Sequence, residues 1–520
     1  MDKTDSGKLR LGRATVTRNV FSNWGSYIVA MAVSFFLSPY LVRHLGTTGY
    51  GVWTLILALT GYLGLLDMGV RGAVTRYVAK FYTEADHGKA SNVASSAMII
   101  FSSTGLLAVV ISLILAAFVV GRMNVPPQYL VAARIVLILT GLNIGVTLVN
   151  GVFGGILVGL QRFDLTNSIE IGVNLLRAAT IVGALYLGEG IITLACIQLG
   201  FTLARLAANI WLSRYLYPEL RMHFSGADQA GMRLIFSFSV FSFMLHVGGS
   251  LIYASDNVVI GAYLPVTAVT FYVIGGNLVE YARTLVSGIS QTMTPLASSI
   301  EAKKDKDHLQ RMVLLSSRAG SMVVWPIALT FMLRGSAFIG LWMGTQYALI
   351  SGEVLRVLSL TLLFWAANSV TAGSFLGLSK HKPLVPVILA EGLCNLALSI
   401  IWVKSGMGIM GVAWGTVVPS LVTSLLFWPG YIHRTLGIHP LTYMMSAWIR
   451  PAIAIIPFTL GSYAIERYWP AEHLIVFFFQ VALALPLAAV GYWVVCLDRA
   501  QRENYGRKLS QSLERVFARG

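Results

Sequence analysis

The residues most suited to chemistry form a polar face inside an apolar stretch of the chain. Glu170, Asn174 and Arg177 are spaced i, i+4 and i+7, so one helix carries all three on the same face. Arg177 lies about midway along the apolar stretch. An arginine at the centre of a bilayer costs at least about 2.5–3.5 kcal/mol unless it faces a partner or water. The spacing therefore indicates either a functional polar cavity or a structural ion pair.

Other arginines also interrupt apolar stretches: Arg134, Arg205, Arg283, Arg318 and Arg356. Arg134 and Arg318 are close to the ends of their stretches, where a long side chain can reach the membrane surface. Arg205 and Arg283 are more central and remain candidates for contact with an anion.

Acidic residues in apolar stretches fall into two groups. Asp67 with Arg71 (i, i+4) and Glu280 with Arg283 (i, i+3) have the spacing of local ion pairs, which suits a gate. Asp256, Glu170 and Glu391 are candidates for binding a coupling proton or sodium ion. Asp256 is close to the end of its stretch, so a structural role is an equal alternative. His246 shares a helix face with Asp256 or Asn257 and is either a proton relay or a core residue.

Asparagines provide the uncharged polar groups within the apolar stretches: Asn23, Asn150, Asn174, Asn368 and Asn395. Each either lines a polar cavity or forms a hydrogen bond between helices.

Signatures of soluble enzymes are missing from the sequence. It contains no GxxxxGK[ST], HExxH or GxSxG motif. Cys196, Cys394 and Cys496 are isolated in apolar stretches without metal-ligand spacing. We therefore expect no enzyme, no metal and no cofactor other than a coupling H+ or Na+.

The composition predicts that membrane-spanning helices position these residues. Of 520 residues, 56% are hydrophobic and 12% charged, with a mean hydropathy of +0.72, and one spanning helix needs about 20 apolar residues. The sequence predicts an all-α, polytopic membrane protein of about 14 spans, near 19–42, 49–70, 93–120, 129–159, 165–187, 190–212, 234–262, 266–296, 313–340, 350–378, 383–404, 407–430, 447–466 and 472–497.

The net charge of +16 is explained mainly by topology rather than by nucleic acid. About 27 of the 38 Lys and Arg residues are on the side of the predicted membrane that both termini share, against about five on the other side, among them Arg334. The positive-inside rule thus predicts cytoplasmic N- and C-termini.

Internal repeats suggest two lobes. Asn150–Leu160 aligns with Asn368–Leu378, and Gly190–Ala195 with Gly408–Ala413, both at an offset of about 218 residues, or six spans. Two six-helix lobes are then related by a pseudo-two-fold axis along the membrane normal. The predicted parts are a basic N-terminus (1–18), an N-lobe (19–212), a linker (213–233), a C-lobe (234–430), two appended helices (447–497) and a cytoplasmic tail (498–520). Gly151, Gly155 and Gly159 predict close helix packing.

Five passages resemble the bacterial oligosaccharide/polysaccharide flippase family of the multidrug/oligosaccharidyl-lipid/polysaccharide exporter superfamily. They are Pro39–Trp53, Leu65–Arg71, Asp256–Leu264, Gly340–Tyr347 and Gly406–Ala413. The resemblance implies a flippase that carries a polyprenyl-pyrophosphate-linked oligosaccharide across the bacterial inner membrane by alternating access, coupled to a cation gradient. On that basis Arg177 is the first candidate for the pyrophosphate, with Arg205 and Arg283 second. The implied partners are the lipid-linked sugar, membrane lipids, and a polysaccharide polymerase or glycosyltransferases.

Two other classes remain open. A multidrug antiporter of the same superfamily would share the core helices, although organic cations suit an acidic cavity better than one holding Arg177 and Arg205. A membrane glycosyltransferase or polymerase would need a long external loop, whereas the predicted external connections are about a dozen residues or fewer.

Overall fold

The computed structural model describes residues 13–223, 228–499 and 501–503, and the regular secondary structure of these residues is helical. The side chain of Asn23 lies outside the described residues, as do most of the predicted basic N-terminus and cytoplasmic tail. The all-α prediction is confirmed for the described part of the chain.

Eighteen α-helices follow one another along the described residues, joined by short turns. They are α1 (Arg13–Gly61), α2 (Val70–Thr83), α3 (His87–Ile114), α4 (Pro127–Gly159), α5 (Phe163–Tyr186), α6 (Ile191–Leu216), α7 (Gln229–Tyr253), α8 (Ser255–Tyr263), α9 (Val266–Ala302), α10 (Lys306–Trp342), α11 (Thr345–Gly377), α12 (Leu384–Trp402), α13 (Gly408–Val422), α14 (Trp428–Leu436), α15 (Pro440–Met444), α16 (Arg450–Ala454), α17 (Ile456–Tyr468) and α18 (Leu474–Val495).

Ten helical segments of the described residues are long and apolar enough to cross a membrane. Two of them, Gly25–Thr83 and Leu384–Leu436, each contain two predicted spans. A glycine interrupts the helical backbone conformation inside each of them. Gly46 has φ +70° and Gly406 has φ +91°, values that residues with a Cβ rarely adopt. The chain is therefore a multi-pass membrane protein, while the count of fourteen spans and the two-lobe symmetry remain predictions.

By internal contacts the chain divides into two compact units. Of the described residues, those within Met1–Thr270 and Leu384–Val412 form unit 1, and those within Phe271–Pro383 and Ala413–Gly520 form unit 2. The lobe boundaries predicted from the repeats are not tested by this division and also remain predictions.

In unit 1, the glycine ladder of α4 lies against α2. A Cβ on Gly155 would lie 3.0 Å from Val74 Cγ1, and one on Gly159 would lie 3.0 Å from the Thr75 carbonyl oxygen. Gly154, on another face of the same helix, has nothing within 4 Å of its Cβ position. Close helix packing through this ladder is thus confirmed.

In unit 2, two buried arginines of α10 bind the C-terminal helices. Arg318 donates from Nε and Nη2 to Ser446 Oγ (3.2 and 2.9 Å) and from Nη1 to the Cys496 carbonyl oxygen. It is 7% exposed, so the expectation that Arg318 extends to the membrane surface is wrong. Its hydrogen-bond acceptors are within the protein, and they compensate for the loss of water.

Arg334, at the other end of α10, has a fully buried side chain. Its Nε donates to Glu466 Oε2 of α17 at 2.6 Å, and its Nη2 donates to Gln480 Oε1 of α18. The guanidinium also lies 4.5 Å from the ring centroid of Phe477. Gln480 Nε2 in turn donates to the Trp469 carbonyl oxygen at 2.7 Å. The two appended helices are therefore attached to α10 by a buried charge and its hydrogen bonds.

Candidate functional site

The polar face of α5 has the geometry that its spacing predicts. Arg177 Nη2 donates to Asn174 Oδ1 at 2.9 Å. Asn174 is 7% exposed, and Arg177 is half-buried. At a rise of 1.5 Å per residue, Arg177 lies about 21 Å from the first residue of α5 and about 14 Å from the last. The guanidinium is thus deep within a spanning helix, as predicted.

The neighbouring helix adds a second guanidinium to this face. Arg205 of α6 forms an ion pair with Glu170 of α5, with 2.9 Å between Nη1 and Oε2. The Arg205 and Glu170 side chains are 22% and 38% exposed. Arg205 Nε is buried and has no hydrogen-bond partner among the described residues. A buried donor without a partner is costly, so Arg205 keeps one unsatisfied hydrogen-bond donor in this conformation.

We call Glu170, Asn174, Arg177 and Arg205 the arginine cluster. It holds two positive charges and one negative charge. Glu170 pairs with Arg205, whereas Arg177 has Asn174 as its polar partner and no ion pair within the described part of the chain. For the face formed by Glu170, Asn174 and Arg177, the sequence left two roles open: lining a functional cavity or forming a structural ion pair. Glu170 and Arg205 form such a pair, and Arg177 remains as an excess cation with spare donors.

Asn150 forms a hydrogen bond between helices, which is one of the two roles predicted for it. It accepts a hydrogen bond from Asn209 Nδ2 at 2.8 Å, which joins α4 to α6. Asn209 Oδ1 is buried without a partner among the described residues. Sequence reasoning missed Asn209, although it follows Arg205 by four residues and so shares its helix face.

Arg283 is enclosed within unit 2. It is 8% exposed, donates from Nη2 to Thr361 Oγ1 at 3.1 Å and lies 5.7 Å from the ring centroid of Trp365. Its Nη1 is 3.7 Å from Glu280 Oε2, so the predicted local pair is present. These contacts make Arg283 a weaker candidate for an anion than Arg177.

Asn368 is also buried in unit 2, at 3% exposure. Its Oδ1 accepts a hydrogen bond from Tyr443 Oη at 3.2 Å. Asn368 therefore joins α11 to α15, which is the interhelical role left open for it.

The other predicted gating pair lines a cavity of about 380 Å³ in unit 1. Asp67 Oδ2 lies 3.6 Å from Arg71 Nε, in a turn where Met68 and Gly69 both have positive φ. Phe243 and His246 of α7 line the same cavity. The structure thus brings His246 to the Asp67–Arg71 pair, a proximity that the sequence did not indicate.

The remaining candidates for ion coupling lie near the break between α7 and α8. Asp256 is in the first turn of α8 and is 4% exposed. On α12, Asn395 Nδ2 donates to the Ile252 carbonyl oxygen at 3.2 Å, beside the break. Glu391, one turn before Asn395, is half-buried. Among the described residues, no group of three or more His, Cys, Asp or Glu side chains has metal-binding geometry.

The sequence is similar to those of proteins named for O-antigen transport and for glycan biosynthesis. The chain is 20% identical to a putative O-antigen transporter of Shigella flexneri over 415 residues, 79% of this chain and 96% of the relative. It is 22% identical to a probable low-salt glycan biosynthesis flippase, Agl15, of Haloferax volcanii, covering 80% and 82% of the two chains.

Solved structures show the same fold. The lipid II flippase MurJ in an inward closed conformation matches with a TM-score of 0.67 and 14% identity, over 92% of this chain and 98% of MurJ. A multidrug resistance MATE family transporter of the MOP superfamily matches with a TM-score of 0.62 and 14% identity, over 79% and 99%. The predicted transporter fold is therefore confirmed.

The family model described as polysaccharide biosynthesis protein matches residues 16–301, more than half of the chain. The match includes three of the five passages, Pro39–Trp53, Leu65–Arg71 and Asp256–Leu264, and the chain belongs to the polysaccharide biosynthesis protein family.

Proposed function

We propose that the protein is a flippase that moves a polyprenyl-pyrophosphate-linked oligosaccharide from the cytoplasmic to the external leaflet of the bacterial inner membrane. The arginine cluster is the observation that carries this proposal. Its excess positive charge lies at mid-depth of two spanning helices. Burying an unpaired charge in the membrane costs free energy, so its presence there indicates a function. The names of the relatives support the same class of cargo.

The chemistry of the cluster suits a diphosphate. A guanidinium has five N–H donors in a planar fork that can make paired hydrogen bonds to phosphate oxygens. Arg177 uses one nitrogen for Asn174, which fixes the orientation of the fork and leaves other donors available. Arg205 would contribute its unpartnered Nε once a conformational change uncovers that buried nitrogen. An incoming diphosphate would therefore meet donors from two guanidinium groups, with Glu170 holding that of Arg205 in place.

The rest of the proposed cycle uses the acidic residues. Asp67 with Arg71 and Glu280 with Arg283 are proposed to close the cytoplasmic gate as ion pairs. Asp256, Glu170 and Glu391 are proposed to take up the coupling proton or sodium ion. Both termini are proposed to be cytoplasmic, and a polymerase or glycosyltransferases are proposed as partners in the same pathway.

The test is flipping of a fluorescent polyprenyl-pyrophosphate oligosaccharide in liposomes. We expect Arg177→Ala to reduce flipping to the rate of protein-free liposomes, and Arg177→Lys to retain part of it because the charge remains while the fork is lost. Arg134→Ala is the matched control, since Arg134 is an exposed arginine in a spanning helix. Its flipping rate should equal that of the parent.

Two outcomes would refute the proposal. Flipping by Arg177→Ala at the parental rate would remove the cluster from the substrate path. Transport of a fluorescent organic cation by the parent, with no flipping of the lipid-linked sugar, would favour the multidrug antiporter.

A further inference from the structure

A second charged site lies in unit 2, far along the chain from the arginine cluster. Three segments enclose a cavity of about 600 Å³: the turn between α9 and α10, the residues after α11, and the end of α14. These helix ends are on the side that the charge distribution predicts to be cytoplasmic. Six of the eleven residues that line the cavity are charged: Lys304, Lys306, Lys380 and Arg434, with Glu301 and Asp305.

The four cations are not neutralised within the protein. In the described ranges, the side chains of Lys304, Lys306, Lys380 and Arg434 have no ion pair and no hydrogen bond. Asp305 Oδ1 accepts the backbone N–H of His308 at 2.9 Å and thereby caps α10. The wall therefore carries two more positive than negative charges, and one of the two carboxylates is already engaged.

Hydrogen bonds between the segments hold the cavity in shape. Gln310 Nε2 of α10 donates to the Leu436 carbonyl oxygen at 2.7 Å, which ties α10 to the end of α14. Tyr431 Oη of α14 donates to the Lys380 carbonyl oxygen at 2.5 Å, which ties α14 to the residues after α11. These two hydrogen bonds therefore hold together the three segments that carry the basic side chains.

Topology alone does not explain this arrangement. The positive-inside rule requires basic residues on one side of the membrane, but not their convergence on one cavity. Lys303 and Arg311 belong to the same basic stretch and satisfy the rule equally well, yet neither lines the cavity. The convergence of four unpaired cations from three segments indicates a ligand of opposite charge.

We propose that this cavity binds a phosphate group, carried either by an anionic membrane phospholipid or by free pyrophosphate. Phosphate oxygens can accept hydrogen bonds from several Lys and Arg donors at once. Basic pockets between spanning helices on the cytoplasmic side suit anionic headgroups. The site shares no residue with the arginine cluster, and binding there does not depend on flipping.

The experiment measures stabilisation of the purified full-length protein in nonionic detergent. Phosphatidylglycerol, phosphatidylcholine or pyrophosphate is titrated at constant ionic strength, and the melting temperature is recorded. We expect phosphatidylglycerol to raise the melting temperature and phosphatidylcholine to leave it unchanged. In Lys380→Gln/Arg434→Gln, the midpoint of the titration should move to about tenfold or higher concentration, because two charge-assisted contacts are lost.

Two further double variants complete the design. Lys304→Gln/Lys306→Gln changes exposed side chains on a different wall and should give the same shift. Lys303→Gln/Arg311→Gln removes the same charge from outside the cavity and should keep the parental midpoint. Stabilisation by pyrophosphate as well as by phosphatidylglycerol would show that phosphate alone suffices, and stabilisation by the lipid alone would identify the membrane as the source.

The proposal is overturned by either of two results. One is that neither phosphatidylglycerol nor pyrophosphate stabilises the parent. The other is that the cavity variants and the Lys303→Gln/Arg311→Gln control respond alike.

Discussion

Removal of the carboxylate that neutralises Arg334 should destabilise the protein substantially. The Arg334 side chain is fully buried, and its Nε lies 2.6 Å from Glu466 Oε2. At an effective dielectric constant of about 20, unit charges about 4 Å apart attract by about 4 kcal/mol. In Glu466→Ala the guanidinium stays buried without its counter-charge, which typically costs about 3–5 kcal/mol. We expect a loss of that size in the free energy of unfolding.

The assay is reversible unfolding by sodium dodecyl sulfate in mixed micelles, followed by tryptophan fluorescence. Glu503→Ala is the control, because the Arg499–Glu503 pair has side chains 95% and 62% exposed and such pairs contribute about 0–1 kcal/mol. The double variant Arg334→Met/Glu466→Met removes both charges and should recover most of the loss. A loss under about 1 kcal/mol in Glu466→Ala, or no recovery in the double variant, would refute the argument that a buried charge attaches these helices.

Two further predictions concern unit 1. Gly159→Val should lower the yield of monodisperse protein in size-exclusion chromatography, because its Cβ would lie 3.0 Å from a backbone oxygen of α2 and such overpacking costs about 1–3 kcal/mol. Gly154→Val, with open space at its Cβ, should match the parent, and equal yields would contradict the packing argument. The hydrogen bond and charge of Lys89 hold the pKa of the Asp86 carboxyl below its ordinary value. This lowering stabilises the fold above the unfolded-state pKa of about 3.9 and is lost as the pH falls through the folded-state pKa. Asp86→Asn should therefore weaken the acid dependence of the melting temperature below about pH 4, and an unchanged acid profile would count against the assignment.

Helical periodicity was sufficient to predict the face of α5. Glu170, Asn174 and Arg177 share a face in any regular helix, and the Asn174–Arg177 hydrogen bond follows from that spacing. The pairing of Glu170 with Arg205 depends instead on the register between α5 and α6. A short turn makes these helices neighbours, but it does not specify which residues meet.

The predictions that failed or were incomplete concern contacts between residues distant in sequence. Arg318 was expected at the membrane surface because it is near the end of an apolar stretch. Its acceptors, Ser446 and Cys496, lie 128 and 178 residues away, and no local pattern indicates them. His246 beside Asp67 is a similar case. Local sequence predicts which residues share a face, whereas tertiary packing decides what that face meets.

The two arginines of α10 also bear on how the protein moves. Arg318 and Arg334 are 16 residues apart, about 24 Å along the helix axis, and each bonds to the C-terminal helices. Two attachment points at that separation resist both sliding and tilting, since either motion would break a bond to a buried charge. Pro326 lies between the two attachment points and is a site where α10 can bend, so each half of α10 is expected to carry the part of the C-terminal helices bonded to it. Any transport step that moves α10 therefore carries these helices with it and changes the lipid-facing outline of unit 2.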